Sequence, residues 1–137
     1  MLLILANRVL SADRIDSIVS AEFPNPATHP DQHNAVQEYM LHSPCDVRPH
    51  LGCRRHSLAG SCKRHFPRSG LTATRIRPDG FPDYRRRMQF QGRDGDRVIS
   101  DEWVVPHNPY LVTRYRCHIN VEVAGHIRSC KYVYKCG

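Results

Sequence analysis

The sequence has no long hydrophobic run, and its aromatic content is only 8%. No apolar stretch approaches the roughly 20 residues that span a bilayer. The apolar run at residues 2–6 has no basic residue ahead of it and is shorter than the roughly 7–15 residues of a signal-peptide core, so secretion is disfavoured. No Asn-x-Ser/Thr acceptor occurs. We therefore expect the six cysteines to be thiols or metal ligands in a reducing compartment, in preference to three disulfides.

Several enzyme motifs are also missing. The chain contains no GxxxxGK[S/T] phosphate loop, no GxGxxG turn and no GxSxG elbow, so no local pattern indicates an ATPase, a dinucleotide enzyme or a serine hydrolase. Its 137 residues predict one domain. Ten prolines and a mean hydropathy of −0.54 predict a large share of loop, although an apolar content of 40% is enough for a core.

Positive charge is concentrated in the middle of the chain. Residues 1–47 carry two basic and six acidic residues, residues 48–97 carry thirteen against four, and residues 98–137 carry five against three. Seventeen of the 20 basic residues are arginine, whose side chain pairs with phosphate and stacks on bases. This distribution predicts a surface that faces a polyanion; a solvated charged face, or arginine enrichment from codon usage, is the alternative.

The order of predicted elements indicates an α+β fold with a mainly antiparallel sheet and flanking helices. We expect a strand at residues 2–6, helices capped by Ser11 and Asp31, a hairpin of residues 84–91 and 97–105, a helix from Asn108 to Tyr115, a strand at 117–123 and a last helix after Gly125. Residues 43–80 show no periodicity. So long an irregular stretch is uncommon in a small domain unless something else orders it.

A cysteine and histidine cluster lies within that irregular stretch. His42, Cys45, Cys53 and Cys62 supply three thiolates and one imidazole, a tetrahedral ligand set for a structural zinc ion. Zinc would order the insert at residues 42–65. The other imidazoles that could serve as the fourth ligand are those of His50, His56 and His65. Cysteines without any metal are the alternative.

A second candidate is the segment FPDYRRR at residues 81–87. On an extended strand Arg85 and Arg87 point to one face and Arg86 to the other, while Tyr84 offers a ring on which a base can stack. We expect these residues to contact nucleic acid, together with Lys63 and Arg64. The alternative is an exposed edge strand that its charges protect from aggregation.

The C-terminal segment contains a candidate nucleophile. Tyr132 and Cys136 are four residues apart and share one face of a predicted helix. A tyrosine hydroxyl can attack a phosphodiester when a divalent cation polarises the phosphate, and Lys131 and Lys135 could neutralise its charge. A tyrosine that only packs against the core is the more ordinary interpretation.

Six stretches of the chain together carry a family resemblance. They read ILANRVLSADRIDSIVSAEFPNPATHP, MLHSPC, GSCKRHFPR, DGFPDYRRR, DEWVVPHNPYLVTRYRCHINVEV and IRSCKYVYK. In this order they resemble the replication-initiator region of Helitron transposases, the Helitron helicase-like domain. The resemblance implies a rolling-circle initiator fold of the HUH-endonuclease type, in which a His-hydrophobic-His pair binds a catalytic divalent metal and tyrosines on a nearby helix attack DNA. It also implies single-stranded DNA as the partner, a nuclear location, a cysteine-bearing insert and, in full-length members, a following helicase.

The chain departs from that family pattern at three points. The histidine pair of the family would sit immediately before the run matched by residues 2–5. Apart from the resemblance, His118 does not form such a pair either, because the position two residues on is Asn120. Tyr132 matches the first family tyrosine, whereas Cys136 stands at the second. The sequence ends before any helicase motif. We therefore expect residues 1–137 to be a single partial domain that at most binds DNA, with Tyr132 as a vestigial nucleophile. A small zinc-stabilised interaction module without a nucleic-acid role is the alternative.

Overall fold

A computed structural model describes residues 11–43 and 62–124 and combines helices with small antiparallel sheets. Its elements are α1 (Ala12–Ile18), α2 (Pro30–Tyr39), β1 (Arg75–Ile76), β2 (Pro82–Asp83), β3 (Gln91–Asp94), β4 (Arg97–Ser100), a 3-10 turn (Asp101–Trp103) and α3 (Pro109–Tyr115). This mixture confirms the α+β class. The strand expected at residues 2–6 and the last helix, after Gly125, lie outside the described residues. No helix in the described part is long and apolar enough to cross a membrane.

Side-chain caps define the starts of two helices. The Ser11 hydroxyl accepts a hydrogen bond from the Arg14 backbone N–H at the start of α1, and the Asn108 Oδ1 accepts one from the Leu111 N–H at the start of α3. Both caps confirm the sequence expectation. Helix α2 begins earlier than predicted, with His29 at its N-cap, so Asp31 lies in the first turn instead. Its carboxylate is favourable there because of the helix dipole.

The hairpin is shorter than the sequence pattern predicted. β3 and β4 pair antiparallel from Gln91 opposite Ser100 to Asp94 opposite Arg97, and Gly95 takes a positive φ of 61° in the tight turn. A side chain at Gly92 would meet the Phe23 ring at 2.3 Å, so only glycine allows this approach. Residues before β3 do not extend the hairpin because their backbones pair elsewhere: β2 pairs with β1, and Arg86 forms a bridge with Leu71.

The prediction of a strand at residues 117–123 was wrong, since those residues form neither strand nor helix. Their backbone N–H groups make isolated hydrogen bonds instead of a strand ladder. The Val121 N–H donates to the Pro106 carbonyl at 3.0 Å, and the Val123 N–H donates to the Tyr84 hydroxyl at 2.9 Å. The alternation of apolar residues that suggested a strand instead lets Val121 and Val123 pack against a buried cluster.

Two apolar clusters form the core of the described residues. The larger one lies between α2, α3, β4 and the segment after the 3-10 turn; its buried members are Phe23, Ala35, Val36, Met40, Ile99, Val104, Val105 and Val112. The smaller one, Ile15, Val19, Ala21 and Tyr84, joins α1 to the segment after β2. Bridges from Ser20 to His107 and from Leu41 to Val104 link these layers and bring distant loops together.

Candidate nucleic-acid and metal site

Backbone hydrogen bonds hold the segment after Cys62 against the end of α2. The Arg68 N–H donates to the Glu102 carbonyl and the His42 N–H donates to the Trp103 carbonyl, both at 2.9 Å. The 3-10 turn is therefore a common support for two stretches that lie more than 20 residues apart in sequence. We call the resulting group, formed by His42, Cys62–Arg68 and Trp103, the cysteine–histidine corner.

Two of the four predicted zinc ligands meet at this corner. Cys62 Sγ lies 3.2 Å from His42 Nε2. A thiolate and an imidazole on one tetrahedral zinc ion are separated by roughly 3.6 Å, so a small side-chain movement would let both bind the same ion. Cys45 and Cys53 lie outside the described residues, as do His50 and His56. Within the described ranges, no group of three or more potential ligands gathers.

The electrostatic surroundings of His42 suit a metal ligand. Burial lowers the pKa of His42, and the positive charges of Arg64 and Arg68 lower it further. The imidazole is therefore neutral near pH 7, which is the form that binds metals. Three thiolates, one imidazole and Zn²⁺ carry a net charge of about −1, which the two guanidinium groups would offset. The two described donors, a cysteine sulfur and a neutral imidazole, are of the types that bind zinc.

Aromatic rings stack at the same corner. The His42 and Phe66 rings are 4.4 Å apart between centroids, and Trp103 lies nearly parallel to Phe66 at 6.5 Å. The Arg68 guanidinium is 5.4 Å from the Phe66 centroid, within the range of a cation–π interaction. Sequence reasoning missed this stack because Trp103 is distant in sequence and no local pattern points to it.

Lys63 and Arg64 lie beside these rings, and both are exposed to solvent. Both were predicted to contact nucleic acid. His65 between them and Phe66 has a positive φ of 59°, a conformation that non-glycine residues adopt uncommonly. The cysteine–histidine corner therefore combines solvent-facing cations with half-buried rings that stack on one another.

The second predicted segment has a different environment. Arg85 and Arg87 point to one side, as expected, but both meet the carboxylate of Glu22. The Arg87 backbone N–H and Nε donate to Glu22 Oε1 at 2.8 and 2.9 Å, and Arg85 Nε lies 3.3 Å from Oε2. Arg85 Nη1 also lies 3.1 Å from Asp16 Oδ2. These two arginines are therefore engaged with acidic side chains of the same chain.

Glu22 is a buried carboxylate that sequence reasoning did not single out. Burial raises its pKa, but hydrogen bonds from Arg87 and the charges of Arg85 and Arg87 outweigh that effect, so the net shift is downward. Glu22 is thus ionised at neutral pH and binds both guanidinium groups. No sequence signal links these groups, because more than 60 residues separate them.

Arg86 faces the interior, which corrects the expectation that it contacts DNA. The residue is only 5% exposed. Its Nε donates to the Asp101 carbonyl at 3.1 Å and its Nη2 donates to the Val104 carbonyl at 2.9 Å. Burial, and then the charge of Arg68, lower its pKa to about 10, so it keeps its charge near pH 7. The guanidinium is used inside the fold because these carbonyls need donors there.

Tyr84 is also buried, which corrects its expected role as a stacking platform. It is 7% exposed, and its hydroxyl accepts the Val123 N–H. Burial raises the pKa of this phenol. The ring belongs to the smaller apolar cluster, so a base cannot reach its face in this conformation.

Asp101 joins the loops around Arg86. Its two carboxylate oxygens accept the backbone N–H groups of Phe23 and Met88, each at 2.8 Å. Met88 has a positive φ of 57°, and the Asp101 contact holds this uncommon turn. Burial raises the pKa of Asp101, although the two N–H donors act in the opposite direction. Asp101 is thus a structural carboxylate.

The remaining predicted residues lie elsewhere. Tyr132, Cys136, Lys131 and Lys135 lie outside the described residues. His118 is exposed, with its Nδ1 2.7 Å from the Tyr39 carbonyl, which indicates a hydrogen bond to the end of α2.

A scan against protein-family models and a search of curated proteins found no match to this chain.

Proposed function

We propose that this chain is a zinc-stabilised domain that binds single-stranded DNA in the nucleus. In this proposal it derives from the replication-initiator region of a Helitron transposase and keeps part of an HUH-type fold. The observation that carries the proposal is the 3.2 Å contact between Cys62 Sγ and His42 Nε2 beside the exposed Lys63 and Arg64. The same corner would hold the metal and face the DNA.

In the proposed site, Cys45 and Cys53 complete the ligand set of His42 and Cys62. The ion would tie residues 62–68 to His42 and so fix the direction in which Lys63 and Arg64 point. Because four protein ligands fill a tetrahedral zinc ion, this metal would be structural. It would supply folding free energy and leave no open position for a substrate.

DNA would bind at this corner through its phosphates. At the corner, Lys63 and Arg64 would neutralise phosphates, whereas the Phe66 ring is already occupied by His42 and Arg68. Arg85 and Arg87 would contribute little while Glu22 holds them. Single-strand binding of this kind depends strongly on salt.

Purified protein tests the metal part of the proposal. We expect one zinc ion per chain by elemental analysis and a lower unfolding temperature in chelator. Cys62→Ser should lose the zinc, whereas Cys117→Ser, at the exposed cysteine after α3, should keep it. Equal zinc content in both variants, or a wild-type chain that folds equally well without zinc, would contradict the assignment.

Fluorescence anisotropy with a labelled single-stranded oligonucleotide tests the DNA part. With the two phosphate contacts of Lys63 and Arg64, affinity should fall roughly 7-fold between 50 and 200 mM salt. The Lys63→Ala/Arg64→Ala variant should bind more weakly and with a shallower salt dependence. Arg75→Ala/Arg77→Ala removes the same charge where both arginines pair with acids, so it should bind like wild type. Undetectable binding by wild type would reject DNA binding.

Nicking activity is expected to be absent. The sequence contains no His-x-His pair. It therefore lacks the motif that would bind a divalent cation and activate a phosphodiester for attack by Tyr132. Incubation with single-stranded DNA and Mg²⁺ or Mn²⁺ should give no covalent adduct on a denaturing gel. An adduct that disappears in Tyr132→Phe would overturn this part of the proposal.

A zinc-stabilised interaction module without nucleic-acid binding is the second candidate. The observation that favours it is that the densest cationic run, residues 85–87, pairs within the chain. One zinc ion per chain combined with no measurable affinity for single-stranded DNA would support this candidate over the first.

A further inference from the structure

Helix α3 presents exposed aromatic and basic side chains together. Tyr110 is 69% exposed and Tyr115 is 63% exposed, and Arg114 and Arg116 are also exposed. Large aromatic rings so open to water are uncommon, since burial of an aromatic side chain is strongly favourable. The core uses the opposite side of this helix, where Val112 is fully buried.

One face of α3 forms a shallow groove with α2. Tyr110, Thr113 and Arg114 lie at spacings of three and four residues, so they share a helix face. They line an open cavity of about 360 Å³, and Gln32 of α2 lines it with them. This volume is at the lower end of the range for small-molecule sites.

The groups around the groove match the parts of a nucleotide. A tyrosine ring offers a stacking surface to any base. The Gln32 side-chain amide can both donate and accept hydrogen bonds at a base edge. The Thr113 hydroxyl donates to the Pro109 carbonyl, which leaves its oxygen able to accept. Arg114 is a fork-shaped donor suited to phosphate.

The local charge also favours a phosphate. Arg114 lies in the groove itself, and Arg116 follows it at the end of α3. The acid next to Gln32 in sequence is Asp31, and neighbouring residues on a helix point about 100° apart. The Asp31 carboxylate is accordingly not among the groups that line the groove.

We propose that the groove between α2 and α3 binds one nucleotide of a single DNA strand. The base would stack on Tyr110, its edge would meet Gln32, and the phosphate would pair with Arg114. The inference rests on the proposed DNA-binding function but places a second contact away from the cysteine–histidine corner. Gln32 lies in the first turn of α2, whereas His42 follows its last turn.

The experiment uses an oligonucleotide that carries 2-aminopurine, whose fluorescence falls when the base stacks on an aromatic ring. Wild-type protein should quench this fluorescence. Tyr110→Ala should abolish the quenching and weaken binding by about 10-fold, in line with the measured cost of losing one stacked base. Tyr110→Phe keeps the ring and should behave like wild type. Tyr115→Ala is the matched control, because it removes an equally exposed tyrosine that does not line the groove.

The outcomes separate this inference from the proposed function. If Lys63→Ala/Arg64→Ala weakens binding while Tyr110→Ala does not, the groove is rejected and the corner stands. If Tyr110→Ala weakens binding while the corner variant does not, the groove stands and the corner is rejected. Equal losses in Tyr110→Ala and Tyr115→Ala would also overturn the groove assignment. Circular dichroism of each variant confirms the fold, which truncation of a 69% exposed side chain should leave intact.

Discussion

Two groups of basic residues, at 62–68 and at 85–87, have similar composition but opposite surroundings. Lys63 and Arg64 face solvent, whereas the guanidinium groups at 85 and 87 lie 2.9–3.3 Å from carboxylate oxygens and that of Arg86 is buried. The run with the higher density of charge is therefore the one that the fold uses internally. Charge along the sequence counts cations, but availability to a polyanion depends on which acids the fold brings to them.

The first prediction tests whether Arg86 is a structural cation. Arg86→Ala should lower the free energy of unfolding by about 3–5 kcal/mol, because it leaves the carbonyls of Asp101 and Val104 without their charged donor and opens a cavity. Urea unfolding followed by Trp103 fluorescence measures this loss. Arg86→Lys keeps the charge but loses the planar guanidinium, so its free energy of unfolding should fall between those of wild type and Arg86→Ala. A loss below about 1 kcal/mol in Arg86→Ala would mean that Arg86 is as dispensable as an exposed arginine.

The second prediction concerns His107, which is buried near Arg86. Burial lowers the pKa of His107 to about 4, and Arg86 adds to the lowering while the Val105 carbonyl opposes it. Its Nε2 has no hydrogen-bond partner among the described residues. Because the folded state favours the neutral ring, the stability contribution is complete above pH 6.5 and is lost as the pH falls towards 4. The slope should reach about 1.4 kcal/mol per pH unit.

Urea midpoints at pH 7, 6, 5 and 4 measure this dependence. The pKa of His42 is also lowered and contributes in the same direction, so the comparison is between wild type and His107→Phe, which removes one titrating ring. His107→Phe should show a clearly shallower dependence. An unchanged slope would show that protonation of His107 does not limit stability in acid.

The third prediction tests whether a cation of the group at 85–87 becomes available to DNA when its acidic partner is removed. Glu22→Gln should release Arg87, whereas Arg85 keeps its ion pair with Asp16; the loss in stability should be about 1–2 kcal/mol because Arg87 is partly exposed. If the Arg87 side chain then reaches DNA, affinity for single-stranded DNA should rise. The slope of log affinity against log salt should also steepen, by about 0.7 for each added phosphate contact.

Anisotropy titrations of Glu22→Gln at several salt concentrations provide this measurement. Asp96→Asn is a matched control, because it removes one negative charge from an exposed side chain in the β3–β4 turn, which belongs neither to the Glu22 group nor to the cysteine–histidine corner. Unchanged affinity in Glu22→Gln would indicate that Arg87 lies too far from the bound strand to contribute, with or without Glu22.

The smallest effect is expected at the edge of the β1–β2 pair. Arg75 forms an ion pair with Asp83 at 3.0 Å, but its side chain is 72% exposed. Arg75→Ala should change the free energy of unfolding by less than about 1 kcal/mol. A larger loss would mean that even an exposed ion pair contributes substantially to the free energy of unfolding of this fold.

Local patterns predicted several elements well. The caps at Ser11 and Asn108, the existence of the hairpin and the α+β class depend on interactions among residues a few positions apart, which a sequence displays directly. The alternation of residues 85–87 was also predicted, because it follows from strand geometry. The sequence did not predict which face is buried. Alternation places Arg86 on the face opposite to Arg85 and Arg87, but it does not show which of the two faces lies in the interior.

Residues distant in sequence account for what local patterns missed. Glu22 and Asp101 decide the environment of the arginine run from more than 60 and about 15 residues away, and Trp103 completes the stack with Phe66. The apolar alternation at 117–123 predicted a strand, yet no neighbouring strand pairs with it in the described part of the chain. A strand needs a partner backbone as well as the right side chains.

By itself, the sequence determined where α1 and α3 start, which apolar residues could pack together, and that cysteine and histidine residues accompany a strong positive charge. Only the tertiary structure decided which cations remain on the surface, that Cys62 meets His42, and that Tyr84 and Arg86 are interior. The physical reason is that burial and ion pairing are properties of groups brought together across the chain, and their partners are not encoded within a local window.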